Sequence, residues 1–395
     1  MKRFFSYIIL SFFLLLLPTG QASANNNDSI RLSLLTCAPG EEIYSLFGHT
    51  AIRYENSSQG IDVVFNYGLF SFNTPNFIFR FSLGETDYQL GATDYERFAA
   101  EYAFFGRSVW QQTLNLTDEE KTELIRLLQE NYRPENRVYR YNFFYDNCAT
   151  RPRDKIEESI AGKVIYPAEP QDGSLTFRDI VHQYCKGHPW ARFGIDLCIG
   201  NEADRPITQR QMMFAPFYLM DAFDGAQIKS DSIQRPLITA NELVVDATPE
   251  PDESGWMPTP LQCTLLLFIL TTAATIYGIR RRTGLWGIDL FLFGIAGIVG
   301  CVLAFLALFS QHPAVSSNFL LLVFHPGQLL FLPYIIYCVR KGKKCWYLTL
   351  NLAVLTLFIS LFWLMPQKFN PAVLPLAASL WIRSASHLIL MYKKR

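Results

Sequence analysis

Leu46-Phe47-Gly48-His49-Thr50-Ala51-Ile52-Arg53 sets a glycine directly before a histidine at the head of an alternating run. Glycine permits close backbone approach at that point, and in the strand that follows His49, Ala51 and Arg53 share one face. The segment Asn56-Ser57-Ser58-Gln59-Gly60 supplies a turn, and Ile61-Asp62-Val63-Val64-Phe65-Asn66-Tyr67 has the β-branched and aromatic content of a paired strand. With a further short strand over 30–36, the pattern predicts a hairpin that brings Asn66 beside His49. An imidazole so placed can serve as a base if an amide orients it, and Asp62 is the alternative orienting group. A purely structural histidine is the competing reading.

The partner of such a base lies further along, in Phe143-Phe144-Tyr145-Asp146-Asn147-Cys148-Ala149-Thr150-Arg151. A helix is expected to start near Cys148 and run to Ile160, with Pro152 in its first turn. Unpaired N–H groups there, with Arg151 and Arg153 nearby, would favour a thiolate at Cys148. A buried inert thiol, or a disulfide to Cys37, is the alternative. Between these stretches Thr117-Asp118-Glu119-Glu120 is a capping box opening a helix that Pro134 ends, and a strand is expected within 137–144. From 174 to 225 two amphipathic helical stretches flank a turn running from Gly194-Ile195-Asp196 to Asp204-Arg205-Pro206. Cys185 and Cys198 are the expected disulfide pair, if export permits one. The CxxC and HExxH patterns of zinc sites are absent, so no metal or cofactor is implied.

Outward from this α+β domain the chain changes character. Residues 246–259 form an acidic, proline-rich linker, and apolar runs follow near 260–279, 286–309, 318–339, 345–364 and 372–391, each about the 20 residues a bilayer span needs. At the other end, Lys2 and Arg3 precede an apolar run that closes on Ala22-Ser23-Ala24, the order of a secretory signal peptide over 1–24, with an uncleaved anchor as the alternative. The formal net charge of zero divides unevenly: residues 25–259 carry a net −13 and residues 260–395 a net +11. The acidic part would repel phosphate, which argues against nucleic acid as partner. The basic residues cluster at 280–282, 340–344 and 393–395, which places those loops and the C-terminus in the cytoplasm and the domain over 25–245 outside. Within the spans, His325 lines either a substrate groove or a helix contact, Arg383 is expected to snorkel, and His312 lies on a short outer loop.

Taken together, Phe47–Arg53, Asn66-Tyr67-Gly68, Asp146–Arg151 and Gly194-Ile195-Asp196-Leu197, followed by five spans, resemble the Lnb-type lipoprotein N-acyltransferase family. The order of histidine before cysteine resembles the permuted papain-like (NlpC/LRAT-like) thiol fold. The resemblance implies a periplasmic domain of that α+β fold on an all-α membrane domain of five helices, in the inner membrane. It further implies transfer of an acyl chain from a membrane phospholipid, through a Cys148 thioester, to the α-amine of a diacylglyceryl-cysteine lipoprotein. Cys148, His49 and Asn66 would be catalytic, and Asn147, Arg151, His312 and His325 would contact substrate, with backbone N–H groups at the start of the Cys148 helix, joined by the Asn147 amide, forming an oxyanion hole. The alternatives are a papain-like cell-wall amidopeptidase and a non-enzymatic membrane sensor or assembly factor.

Overall fold

Strands β1 (Ile30–Cys37), β2 (His49–Asn56) and β3 (Ile61–Leu69) pair antiparallel in a computed structural model that describes residues 29–392 except 72, 74, 169–174, 231–233 and 248–255. The expected signal peptide over 1–24, most of the linker and the final basic cluster lie outside the described residues. The hairpin closes through 57–60 as its sequence predicts, with Asn56 opposite Ile61 and Ala51 opposite Asn66. Four more strands complete a seven-stranded antiparallel sheet: β4 (Asp87–Asp94), β5 (Val109–Leu114), β6 (Val138–Arg140) and β10 (Ile238–Val245), in the order β10-β5-β1-β2-β3-β4-β6. The strand expected within 137–144 is therefore only three residues long.

Alternation along the strands divides the core. Leu32, Leu34, Ile52 and Tyr67 pack under α3 (Asp118–Tyr132), α4 (Thr150–Ser159) and α8 (Pro216–Asp224), and Leu35, Ala51 and Val64 pack under α2 (Tyr95–Phe104) on the other face. Each fully buried aliphatic side chain contributes roughly 1.5–3 kcal/mol relative to exposure. The capping box forms as read: Thr117 N–H donates to Glu120 Oε2 and Glu120 N–H to Thr117 Oγ1. A short helix α1 (Phe77–Leu83) links β3 to β4, and a second small sheet joins β7 (Lys163–Ile165), β8 (Gln227–Lys229) and β9 (Gln234–Pro236).

The segment over 174–225 departs from its expected shape. Gly194, Ile195 and Asp196 lie inside helix α6 (Pro189–Cys198), which follows α5 (Phe177–Tyr184), and the chain turns only at Ile199-Gly200. A buried cluster explains the helix: Arg178 is wholly enclosed and donates to Asp196 (2.9 Å), Asp204 (2.8 Å) and the carbonyls of Ile199 and Gly200. The short helix α7 (Gln209–Met212) completes this region. All eight cysteines are free thiols, Cys185 and Cys198 included. Their close spacing in sequence does not bring them together, because each ends a separate helix.

The C-terminal part is helical. Helices α9 (Pro260–Arg281), α10 (Trp286–Phe309) and α14 (Val373–Tyr392) are each long and apolar enough to cross a membrane. The stretch 318–339 is not one continuous helix: it breaks into a turn over Phe319–Leu322, α11 (Pro326–Leu330) and α12 (Leu332–Lys341). Proline disfavours helix at the residue before it, and here Gly300 of α10 presses against the His325 backbone so closely that a methyl group has no room. Helix α12 meets α13 (Trp346–Leu361) at 111°. Arg383 does not snorkel; it binds Asp289 in a fork (2.7 and 3.1 Å) and donates to Thr275, tying α14 to α10 and α9.

Two loops of this helical part, over 310–318 and 367–370, dock on the sheet domain. Gly200 N–H donates to Ala314 O, Asn318 to Leu197 O, Gln367 to Ile199 O, Asn370 to Asp196 and Lys368 to Asp179. The α5–α6 region, whose chemistry is obscure in the sequence, is thus the seat on which the helical part rests.

Candidate active site

Gly68 lies where β3 loses its pairing with β4, at φ +91, a conformation that favours glycine. A methyl group on it would find Cβ of Cys148 at 3.5 Å, Cε1 of His49 at 3.9 Å and the Tyr139 hydroxyl at 4.0 Å, and these are the three nearest atoms. The side chains of Cys148, His49 and Tyr139 therefore border one point. Gly48, at φ +77, has the role its sequence suggests: a side chain there would strike the Cys37 carbonyl, so glycine lets β2 start close to β1.

His49 is oriented by the amide read from the hairpin. Its Nε2 lies 2.5 Å from Oδ1 of Asn66. Since that oxygen can only accept, Nε2 carries the proton and Nδ1 is left to receive one. Asp62 is occupied elsewhere, forked to Arg53 at 2.6 and 2.8 Å.

Burial holds His49 down at about 4, against the Asn66 bond that raises it, and the Arg107 cation lowers it further. Burial pushes the Cys148 thiol up to about 11, although the backbone N–H groups of Thr50 and Cys148 and the charge of Arg107 favour the thiolate. The resting pair at neutral pH is thus a thiol beside a neutral imidazole. Cys148 sits in the turn just before α4 rather than in its first turn, and is half-buried.

The other expected contacts divide. The Asn147 amide is spent: Nδ2 donates to the carbonyls of Phe143 (2.7 Å) and Phe214 (2.9 Å), and Oδ1 accepts from Ala149 and Thr150 N–H. It caps the turn into α4 and has no hydrogen left for an oxyanion, which corrects the expected role. Arg151 is forked to Asp146 at 2.6 and 2.8 Å and lies 3.6 Å from the centroid of the Tyr139 ring, so its guanidinium is engaged by those two side chains. Arg153 is buried against Asp154 and the Arg210 carbonyl. His312 is engaged with the Phe81 carbonyl at 3.0 Å and belongs to the contact between the two parts of the chain. His325 packs near Tyr347, with ring centroids 6.1 Å apart, within the helical part.

The cation that the thiol does feel is Arg107, just before β5. Its Nε donates to Ala38 O (2.8 Å) and its guanidinium lies over the Tyr102 ring. Nothing adjacent in sequence marks it, since the topology brings β5 beside β1 and so beside the start of β2.

The family comparison agrees with this architecture. A family model described as the Lnb N-terminal periplasmic domain matches residues 20–182, and one described as the Lnb transmembrane domain matches residues 252–395. The chain belongs to the Lnb family. As an Lnb protein it is a multi-pass membrane protein with a mixed α/β sheet domain of the periplasmic type. No curated protein and no solved structure matches it. The periplasmic Lnb match contains Cys148, His49, Asn66, Gly68, Arg107 and Tyr139.

Proposed function

We propose that this chain is a cysteine-dependent lipoprotein N-acyltransferase of the inner membrane. The carrying observation is the shared point at Gly68, which the Cys148 side chain and an amide-oriented imidazole both border, in a domain seated on membrane helices. On substrate entry His49 Nδ1 takes the Cys148 proton, and the sulfur attacks the ester carbonyl of a phospholipid. The C–S bond forms, the C–O bond breaks, and His49 returns the proton to the departing lysophospholipid oxygen. The α-amine of a diacylglyceryl-cysteine lipoprotein then attacks the thioester and gives its proton to His49. The C–N bond replaces the C–S bond, and the thiol is restored.

A membrane source for the acyl chain has its own support. On α1, Ile78 is 80% exposed and Phe79 57%, and the Phe79 ring stands 5.7 Å from Phe305 of the membrane helix α10. From there stacked rings run inward, Phe81–Phe77–Phe70–Tyr88–Tyr141, at centroid separations of 6.2, 5.6, 4.9 and 4.1 Å. Such a wall suits an alkyl chain passing from the outer leaflet toward the thiol, and α1 suits the membrane interface. The docked loops hold one basic residue, Lys368, whereas 280–282 and 340–344 lie at the opposite helix ends. That is the distribution expected if the sheet domain is periplasmic and the C-terminus cytoplasmic.

The test is mass spectrometry of a reporter lipoprotein from cells lacking their own N-acyltransferase, supplied with wild type or Cys148→Ser. An N-linked acyl chain with wild type alone is expected. An unchanged lipopeptide with both proteins present and inserted would overturn the proposal and favour wall hydrolysis or partner binding.

A further inference from the structure

We infer that the Tyr139 hydroxyl is the oxyanion donor of this site, an assignment that rests on the transfer reaction proposed above. Tyr139 lies on β6 opposite Tyr88 of β4 and is 6% exposed. Its hydroxyl is buried and, among the described residues, has no hydrogen-bond partner. Folded proteins rarely leave a buried donor unmatched, and one that persists asks for a reason. Here the unmatched donor borders the same point as the Cys148 and His49 side chains.

The candidates for this role nearer in sequence are already engaged. The Asn147 amide donates to two carbonyls, and the N–H groups of Ala149 and Thr150 donate to its oxygen. The Cys148 and Thr50 N–H groups favour negative charge on the sulfur and so serve the thiolate. A tetrahedral oxygen beside that sulfur therefore meets Tyr139 as a donor with nothing else to bond.

The ring is held in place for the task. The Arg151 guanidinium lies over it, 3.6 Å from the ring centroid, itself fixed by the Asp146 fork. A cation on the ring face draws electron density from the phenol and strengthens its O–H as a donor. In the reaction the C–S bond forms as the carbonyl π pair moves onto oxygen. Tyr139 donates a hydrogen bond to that oxygen without transferring its proton, and the bond is released when the oxyanion collapses and the C–O bond breaks. The same donor serves the second tetrahedral state, formed by the amine.

The experiment uses the full chain in phosphatidylethanolamine vesicles with a diacylglyceryl lipopeptide acceptor. It compares wild type, Tyr139→Phe, Tyr67→Phe and Cys148→Ser. Removing an unpartnered hydroxyl should leave Tm unchanged, whereas Tyr67→Phe, which loses the bond to Asn131, should lower Tm and keep kcat. For Tyr139→Phe, kcat should fall on the order of 10²–10³-fold with KM little changed. Affinity for a long-chain alkyl trifluoromethyl ketone, whose thiol adduct carries the oxyanion, should fall in parallel, while the rate of iodoacetamide alkylation should hold. Wild-type kcat and ketone affinity in Tyr139→Phe, beside an inert Cys148→Ser, would overturn the oxyanion assignment and leave the transferase standing. Equal transfer by wild type and Cys148→Ser would remove the thioester reaction and the assignment with it.

Discussion

Two buried polar constellations in the sheet domain are built on opposite terms. Around Arg178 every charge is matched: Asp196 and Asp204 face the guanidinium, His182 and Asn370 complete Asp196, and carbonyls take the remaining hydrogens. Around Gly68 the groups are left incomplete, with a thiol raised by burial, an imidazole lowered by it and a phenol without a partner. Saturation fixes a geometry, here the seat of the membrane helices. Incompleteness costs stability and leaves donors and acceptors for a substrate.

The largest effect should come from breaking the saturated cluster. Arg178→Ala strands two buried carboxylates and should cost roughly 3–5 kcal/mol. Thermal unfolding and protease sensitivity should report it, together with loosening of the α5–α6 seat. Cys148→Ala, by contrast, should leave the unfolding free energy within about 1 kcal/mol of wild type, because no buried ion pair depends on its thiol. Comparable losses in the two variants would erase the distinction and recast Cys148 as structural.

Next in size are the groups that shape the incomplete site. Asn66→Ala frees the imidazole to adopt either tautomer and should lower kcat on the order of 10²-fold, with little change in Tm. Gly68→Ala should act differently. The added methyl meets Cys148, His49 and Tyr139 only at ordinary contact distance, but it fills the space a substrate carbonyl needs, and φ +91 adds strain of about 1–3 kcal/mol. Full activity in Gly68→Ala would mean that the reacting carbon lies elsewhere.

The sequence carried the hairpin, the capping box and the His49–Asn66 pair because each is set by local spacing. It also carried the order of apolar segments, since a bilayer demands length. It missed β4, β5 and β10 because their residues alternate weakly. Gly194–Asp196 looks like a turn by composition and is helix where Arg178, 18 residues earlier on the preceding helix, binds Asp196. Arg107 and Tyr139 escaped for a related reason. Each is an ordinary residue on a strand or loop, and only the sheet order β5-β1-β2-β3-β4-β6 carries them to the thiol. The Asn147 amide was read as free because sequence shows that a donor exists but not whether it is already engaged.

The smallest effect expected is electrostatic, and its direction is set by burial. With the thiol near 11, the thiolate fraction at neutral pH is small, so alkylation of Cys148 by iodoacetamide should quicken about tenfold per pH unit between 7 and 10. A preformed thiolate–imidazolium pair would instead react at a nearly constant rate across that range, which would contradict the resting state described here. Arg107 favours the thiolate and opposes the imidazolium, so Arg107→Gln should raise both pKa values and slow alkylation a few-fold at fixed pH. The imidazole adds a signature in stability. Its folded value lies near 4, below the ordinary 6.5, so the unfolded chain takes up a proton first as pH falls. Stability present above pH 6.5 should drain away between 6.5 and 4, and Arg107→Gln should shrink that loss by bringing the folded value nearer to 6.5. If the variant left both the alkylation profile and the acid limb unchanged, the charge at the site would have to come from another residue, and Arg107 would belong with the saturated scaffold.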